Sequence, residues 1–202
     1  MNLEKKSAKV VQGEATVQTL TAVARRLFSE RGYHDVSTEE IVQAAQVTRG
    51  ALYHHFSGKS DLFFAVFEAV QGEISQRIEQ AAEAGPEGWD AFLAGCRAFL
   101  ETCLDPQIQR IVFIDAPAVL GWDLWRRVDT TYGLMSLKAG LTDLINTGLI
   151  KPQPLDALAH LLSGAMNEAA LWITHAENPT QALEEAVATL ELLLQGLKTE
   201  GV

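Results

Sequence analysis

Apolar positions recur with a period near 3.6 along almost the whole chain, the signature of amphipathic helices. Between Val17 and Phe28 they stand at 17, 20, 24, 27 and 28, with Thr21 completing the stripe. Arg31 and Gly32 supply a basic last turn and a glycine stop. Ser37-Thr38-Glu39-Glu40 reads as a capping box opening a short helix that carries Ile41, Val42 and Ala45. Thr48 is the expected N-cap of another short helix reaching His55, and Ser57-Gly58 breaks the chain before a long helix over 59–83. Gly85-Pro86 ends that helix. Trp89, Phe92, Leu93, Cys96, Phe99, Leu100 and Cys103 then mark one face of the next. Asp105-Pro106 has the form of an N-cap with proline at N1, and a short helix runs from there towards Pro117. A longer one is expected over 122–146, closed by Gly148, and two more over 155–175 and 179–198 after the Lys-Pro-Gln-Pro connection at 151–154. No run alternates like a strand. The pattern predicts an all-α fold of nine helices.

Composition changes this picture little until charge is divided along the chain. The 202 residues are 48% hydrophobic and 21% charged, with a formal net charge of −10, which suits a folded core and excludes a disordered chain. An acidic protein repels nucleic acid on average. Yet residues 1–60 hold eight basic and six acidic side chains, a balance of +2, and the remaining residues hold eight and twenty, a balance of −12. The two parts are electrostatically different. Cys96 and Cys103, seven residues apart, share a helix face at about 10 Å, too far for an internal disulfide; they read as small apolar core residues, with a thiol facing an effector as the alternative. No apolar run reaches the length of a membrane span, and the opening MNLEKKSAKVVQGEAT has no secretory core. A soluble, cytoplasmic protein is expected.

The informative stretch is Val36 to Asp61. Two short helices joined by a tight connection and preceded by a longer one suggest a helix-turn-helix unit. At about 100° per residue, Leu52 and Phe56 share one face of the second short helix, while Gly50, Tyr53 and His54 fall opposite and Arg49 and Ala51 lie on the flanks. A merely solvated face favours Glu, Lys and Gln. This one suits a groove: glycine permits close approach, Tyr53 and His54 can donate to phosphate or base edges, and Arg49 can bond a guanine or a phosphate. Lys59 and Thr38, each at a helix start, add a cation or hydroxyl beside free amides.

Thr48-Arg49-Gly50-Ala51-Leu52-Tyr53-His54-His55-Phe56, followed by Lys59 and Leu62, resembles the recognition-helix signature of the tetracycline-repressor (TetR) family of transcriptional regulators. Ala24, Phe28, Gly32-Tyr33, Ser37-Thr38, Ile41, Ala44-Ala45 and Val47 fit the same pattern upstream, and the match covers residues 16–65. The resemblance implies that Thr48, Arg49, Gly50, Ala51, Tyr53 and His54 face DNA, that Thr38 and Lys59 contact phosphates, and that His55 packs the helix or reaches a phosphate. It further implies a flexible tail at 1–15, a DNA-binding domain at 16–60 and a helical effector-binding and dimerisation domain at 61–202. Lys5, Lys6 and Lys9 read as a solvated tail, with minor-groove contact as the alternative.

The last two helices look suited to a dimer interface, with Leu158, Leu162, Ala165 and Ala169 on one and Leu183, Val187, Leu190 and Leu194 on the other. Packing only inside the protomer is the competing explanation. Phe92, Cys96, Phe99, Phe113, Trp125, Tyr132, Asn167 and Trp172 are candidate linings for an effector pocket, although aromatics at helical spacing equally build plain core. The expected function is a homodimeric repressor released from a near-palindromic operator by a small molecule. The alternatives are a DNA-binding regulator without an effector and, remotely, an enzyme. Catalysis has little support: the sequence carries no glycine-rich phosphate loop, GxSxG elbow, HExxH or CxxC. No catalytic residue, metal ligand, cofactor or membrane partner is expected.

Overall fold

A computed structural model describes residues 2–199, with side chains from residue 12 onward. The described residues form nine helices and no strand, with one isolated bridge between Ile150 and Lys198. They are α1 (Asn2–Arg31), α2 (Thr38–Ala44), α3 (Arg49–His55), α4 (Lys59–Glu83), α5 (Trp89–Glu101), α6 (106–120), α7 (122–146), α8 (Leu155–His175) and α9 (Pro179–Gln195). Both α6 and α7 contain π-helical segments, Gln109–Asp115 and Thr130–Leu134. Among the described residues no helix is long and apolar enough to cross a membrane.

The tail expected over residues 1–15 is helical from Asn2. Lys, Glu, Ala and Gln dominate this stretch and are good helix formers; because it carries no apolar stripe, periodicity cannot reveal it. Lys5, Lys6 and Lys9 lie outside the residues whose side chains are described.

The chain divides into two compact units. One comprises the chain up to Val70 together with Arg110–Trp122; the other comprises Gln71–Gln109 and the chain from Asp123. The division therefore falls inside α4 rather than at residue 60, and most of α6 belongs with the first unit. In α4 no local pattern announces the boundary, because the helix continues through it without changing its period.

In the first unit, Leu20, Ala24 and Phe28 of α1, Ile41 of α2, Leu52 of α3 and Phe63 of α4 are fully buried. Phe63 stands edge-on to both Phe28 (5.3 Å) and Tyr33 (5.1 Å). Gly32 ends α1 at φ +85°, a conformation that favours glycine, and a Cβ there would displace the flexible Arg110 guanidinium, 1.8 Å away. The residues after it are held by Asp115, a buried carboxylate whose Oδ2 accepts from the Tyr33 amide at 2.9 Å and from Arg110 Nε at 3.4 Å. Arg110 also donates to the Arg31 carbonyl at 3.4 Å.

Ser37 caps α2 as its sequence suggests. Its Oγ accepts from the Glu40 amide at 3.2 Å, and Glu40 Oε2 accepts from the Ser37 amide at 2.8 Å. That backbone bond, with help from Arg31 and the Ser37 hydroxyl, pulls the Glu40 carboxyl down to about 2. A carboxyl depressed on folding stabilises above its unfolded value, and the contribution disappears as pH falls through the folded one. Wild-type stability should therefore decline more steeply than that of Glu40→Gln as pH drops from 4.5 towards about 2. Parallel acid titrations of the two proteins by circular dichroism would show it; identical curves would remove the effect.

The link from α2 to α3 is a Schellman turn. Gln46 sits at φ 54°, its amide donating to Gln43 and that of Val47 to Val42. Glycine is the usual residue at such a position, and its absence hides the turn from sequence inspection.

Candidate nucleic-acid interface and cavity

Thr48 opens α3 by accepting the Ala51 amide on Oγ1 at 3.1 Å. Burial of Leu52 and Phe56 then fixes the helix rotation, leaving Arg49, Gly50, Tyr53 and His54 exposed. Ala51 and His55 are half-buried. The opposed faces predicted from spacing are therefore present.

Two features distinguish the outward face from an ordinary solvated one. Tyr53 stays 45% exposed, and the Arg49 guanidinium carbon lies 5.4 Å from its ring centroid. A Cβ added to Gly50 would meet only Thr48 Oγ1, at 3.9 Å. Packing does not require glycine here, although it weakens a helix by about 1 kcal/mol relative to alanine. A smooth helix surface that another backbone can approach is what it provides.

Around this face the side chains are partly engaged with the protein itself. Arg49 Nη1 pairs with Glu39 Oε1 at 3.3 Å, between two well-exposed groups whose attraction water largely screens. Thr38 is the first residue of α2 and its hydroxyl donates to Glu39. His54 and His55 stand edge to face at 4.9 Å. Lys59, the first residue of α4, places Nζ 4.2 Å from the Tyr33 ring centroid and 3.5 Å from the His34 carbonyl. Burial lowers its ammonium pKa, against the pull of Asp35 and Glu40. Lys59 thus fastens the start of α4 to the turn after α1, a packing role that its motif position does not reveal.

The second unit contains a cavity of about 650 Å³. Of the expected lining, Phe92, Cys96, Phe99 and Asn167 are there. The other four are elsewhere. Phe113 is buried within the first unit, Trp125 is buried outside the lining, and Tyr132 turns towards Gly72. Trp172 is 48% exposed on α8. Aromatic size marks the six aromatic candidates alike, so spacing could not separate cavity from core. Burial pushes the Cys96 and Cys103 thiols up to about 12, so neither is a thiolate near neutral pH.

Sequence inspection named Asn167 but did not bring Asp129 and Ser163 to it at the polar end of the cavity. Asp129 is buried, with Oδ2 2.6 Å from Arg126 Nη1, which also lies 3.4 Å from Ser163 Oγ. Asn167 Nδ2 stands 3.4 Å from both carboxylate oxygens. Burial raises the Asp129 pKa, opposed by Arg126 and Asn167. The π-helical turn begins at the next residue, and such turns are frequent at functional sites. An acid set between Trp125, Val128 and Tyr132 was the available signal.

The expected dimer residues also divide. Leu183, Leu190 and Leu194 are buried in the protomer's own core, Leu158, Leu162, Ala169 and Val187 are half-buried, and only Ala165 is exposed. The outward apolar face of α8 and α9 is instead Leu161, Leu171, Trp172, Leu192 and Leu193. On α9 the more regular apolar stripe serves the core, whereas on α8 the core face is Ala159, Ser163, Met166, Ala170 and Ile173.

Comparison with known proteins finds two matching family models. Residues 20–66 match the family described as bacterial regulatory proteins, tetR family, and residues 89–197 match the Tetracyclin repressor-like C-terminal domain. The transposon Tn10 TetC protein of Escherichia coli is 30% identical over 176 residues, 87% of each chain. The regulator AcrR of Shigella flexneri is 45% identical over 65 residues, 32% of this chain and 30% of that protein. A TetR-family regulator from Pectobacterium atrosepticum has a crystal structure that superposes with a TM-score of 0.82 at 41% identity, covering 94% of this chain and 97% of that one. The chain belongs to the TetR family of transcriptional regulators: it is a helix-turn-helix DNA-binding protein and not an enzyme.

Proposed function

We propose that the protein is a homodimeric repressor held on a near-palindromic operator and released by a small molecule bound in the second unit. The cavity of about 650 Å³ carries this reading. Its volume falls in the range of small-molecule sites, about 300–1,000 Å³, and a constitutive DNA binder has no need of it. Dimerisation is supported by the exposed leucines and tryptophan of α8 and α9, since monomeric proteins rarely leave such a face uncovered. Two symmetry-related recognition helices read two half-sites, which makes the operator a near-palindrome.

In this mechanism the effector favours a separation of recognition helices that mismatches the operator. Moving the population from 99:1 to 1:99 takes about 5.5 kcal/mol of differential binding, which two sites per dimer can share. On the DNA side, Arg49 and Tyr53 have different tasks. Tyr53→Phe removes a backbone contact and should weaken binding across all sequences. Arg49→Ala should also relax preference at one base pair, by about 1–3 kcal/mol of discrimination. Selection from an operator library with each variant separates the two roles, and unchanged affinity and preference in both would sink the assignment.

A further inference from the structure

The cavity is walled by charge of one sign. Glu83, Glu87, Asp129 and Asp143 line it, and no lysine, arginine or histidine does. Three of these carboxylates are exposed, whereas Asp129 is buried. A cleft with low-dielectric walls and one sign of charge focuses its potential, gathering cations and repelling anions.

Asp129 retains acceptor capacity at the inner end. Its Oδ2 has one strong partner, Arg126, and the Asn167 contacts at 3.4 Å are long, whereas an ionised carboxylate offers about four acceptor sites. Oδ1 lies beside Gly133, where a Cβ would stand 3.4 Å away; glycine leaves room next to that oxygen. Burial outweighs Arg126 and Asn167 in setting the carboxyl's pKa, so its charge is incompletely compensated and gains from another donor. The lining also supplies an apolar surface, with Phe92, Phe99, Leu137 and Met166 in its walls.

Resting on the effector reading above, we propose that the cavity takes a lipophilic amine cation, its apolar body among Phe92, Phe99, Leu137 and Met166 and its ammonium donating to Asp129 Oδ1. Fatty acids and other anionic amphiphiles are excluded by the same lining.

Titration calorimetry of the full-length protein with 6-phenylhexylamine, 6-phenylhexan-1-ol and 6-phenylhexanoate tests this, because one apolar body carries a cation, a neutral donor and an anion. At neutral pH the amine should bind at least about tenfold more tightly than the alcohol, and the carboxylate most weakly. Asp129→Asn should bring the amine within about twofold of the alcohol. The wild-type series stands without any variant, so a poorly folded mutant does not blunt it. Equal binding of alcohol or carboxylate, or no binding by any of the three, overturns the ligand class. Operator release is measured separately by gel shift. An amine that binds but leaves the operator complex intact upholds the ligand class and overturns the effector mechanism. Release by the alcohol with no advantage for the amine does the reverse.

Discussion

A Leu192→Glu, Leu193→Glu double variant should sediment as a monomer at concentrations where the wild-type protein is a dimer. Its operator affinity should fall by about a hundredfold or more. Both leucines are about two-thirds exposed on α9, at 68% and 66%, so in the isolated protomer they contribute little to the core and glutamates there should fold normally. In a dimer the same positions would bury two carboxylates per protomer without partners, and each uncompensated charge costs several kcal/mol. DNA affinity falls when dimerisation is lost, because two linked half-site contacts exceed either one by about 10²–10⁴. Analytical ultracentrifugation and operator titration measure the two effects independently. A double variant that remains dimeric removes this face from the interface. Secondary structure and melting temperature should change little, which separates loss of assembly from loss of fold.

The second large effect is expected at Asp115. Asp115→Ala should lower the unfolding free energy by about 2–3 kcal/mol, since it leaves the Tyr33 amide without its acceptor and Arg110 without its carboxylate. Arg110 is partly exposed and can rehydrate, which keeps the cost below that of breaking a fully buried ion pair. Asp115→Asn keeps an oxygen for the Tyr33 amide and should lose roughly half as much. Urea unfolding gives the totals, and amide exchange at Tyr33 gives the local effect. A stability for Asp115→Ala equal to wild type would show that the turn after α1 holds without this carboxylate. Asp115 carries no motif and lies 82 residues from Tyr33, so its importance is invisible along the chain.

The opposed faces of α3 were readable because the caps and spacings that define them are local. The Ser37 box, the Thr48 cap and the Leu52–Phe56 pair act within four residues of one another, and helical geometry converts such spacing into faces. The polar beginning of α1 was not, because helix propensity without an apolar stripe leaves no periodic trace. Neither was the Gln46 turn, which lacks the expected glycine.

In the second unit the difficulty is different. Phe92 and Phe99 line the cavity while Phe113, Trp125, Tyr132 and Trp172 do not, although all six are aromatic residues in helical patterns. The same holds for Leu190 against Leu192 and Leu193 on α9: one faces the protomer's core and two face outward. Rotating a helix by about 100° exchanges these roles, and that rotation is set by neighbours distant in sequence.

By itself, then, the sequence determined the helical architecture, the recognition-helix signature and the contrast between a slightly basic head and an acidic body, since these depend on residues within a few turns of each other. Tertiary structure decided which apolar stripe is core and which is free. It also brought Asp115 to Tyr33, and set Asp129, Ser163 and Asn167 around one end of a cavity. The hydrogen bonds involved, Arg126 to Ser163, Asn167 to Asp129 and Tyr33 to Asp115, span 37 to 82 residues of chain, and only packing, which selects one rotation for each helix, could choose them.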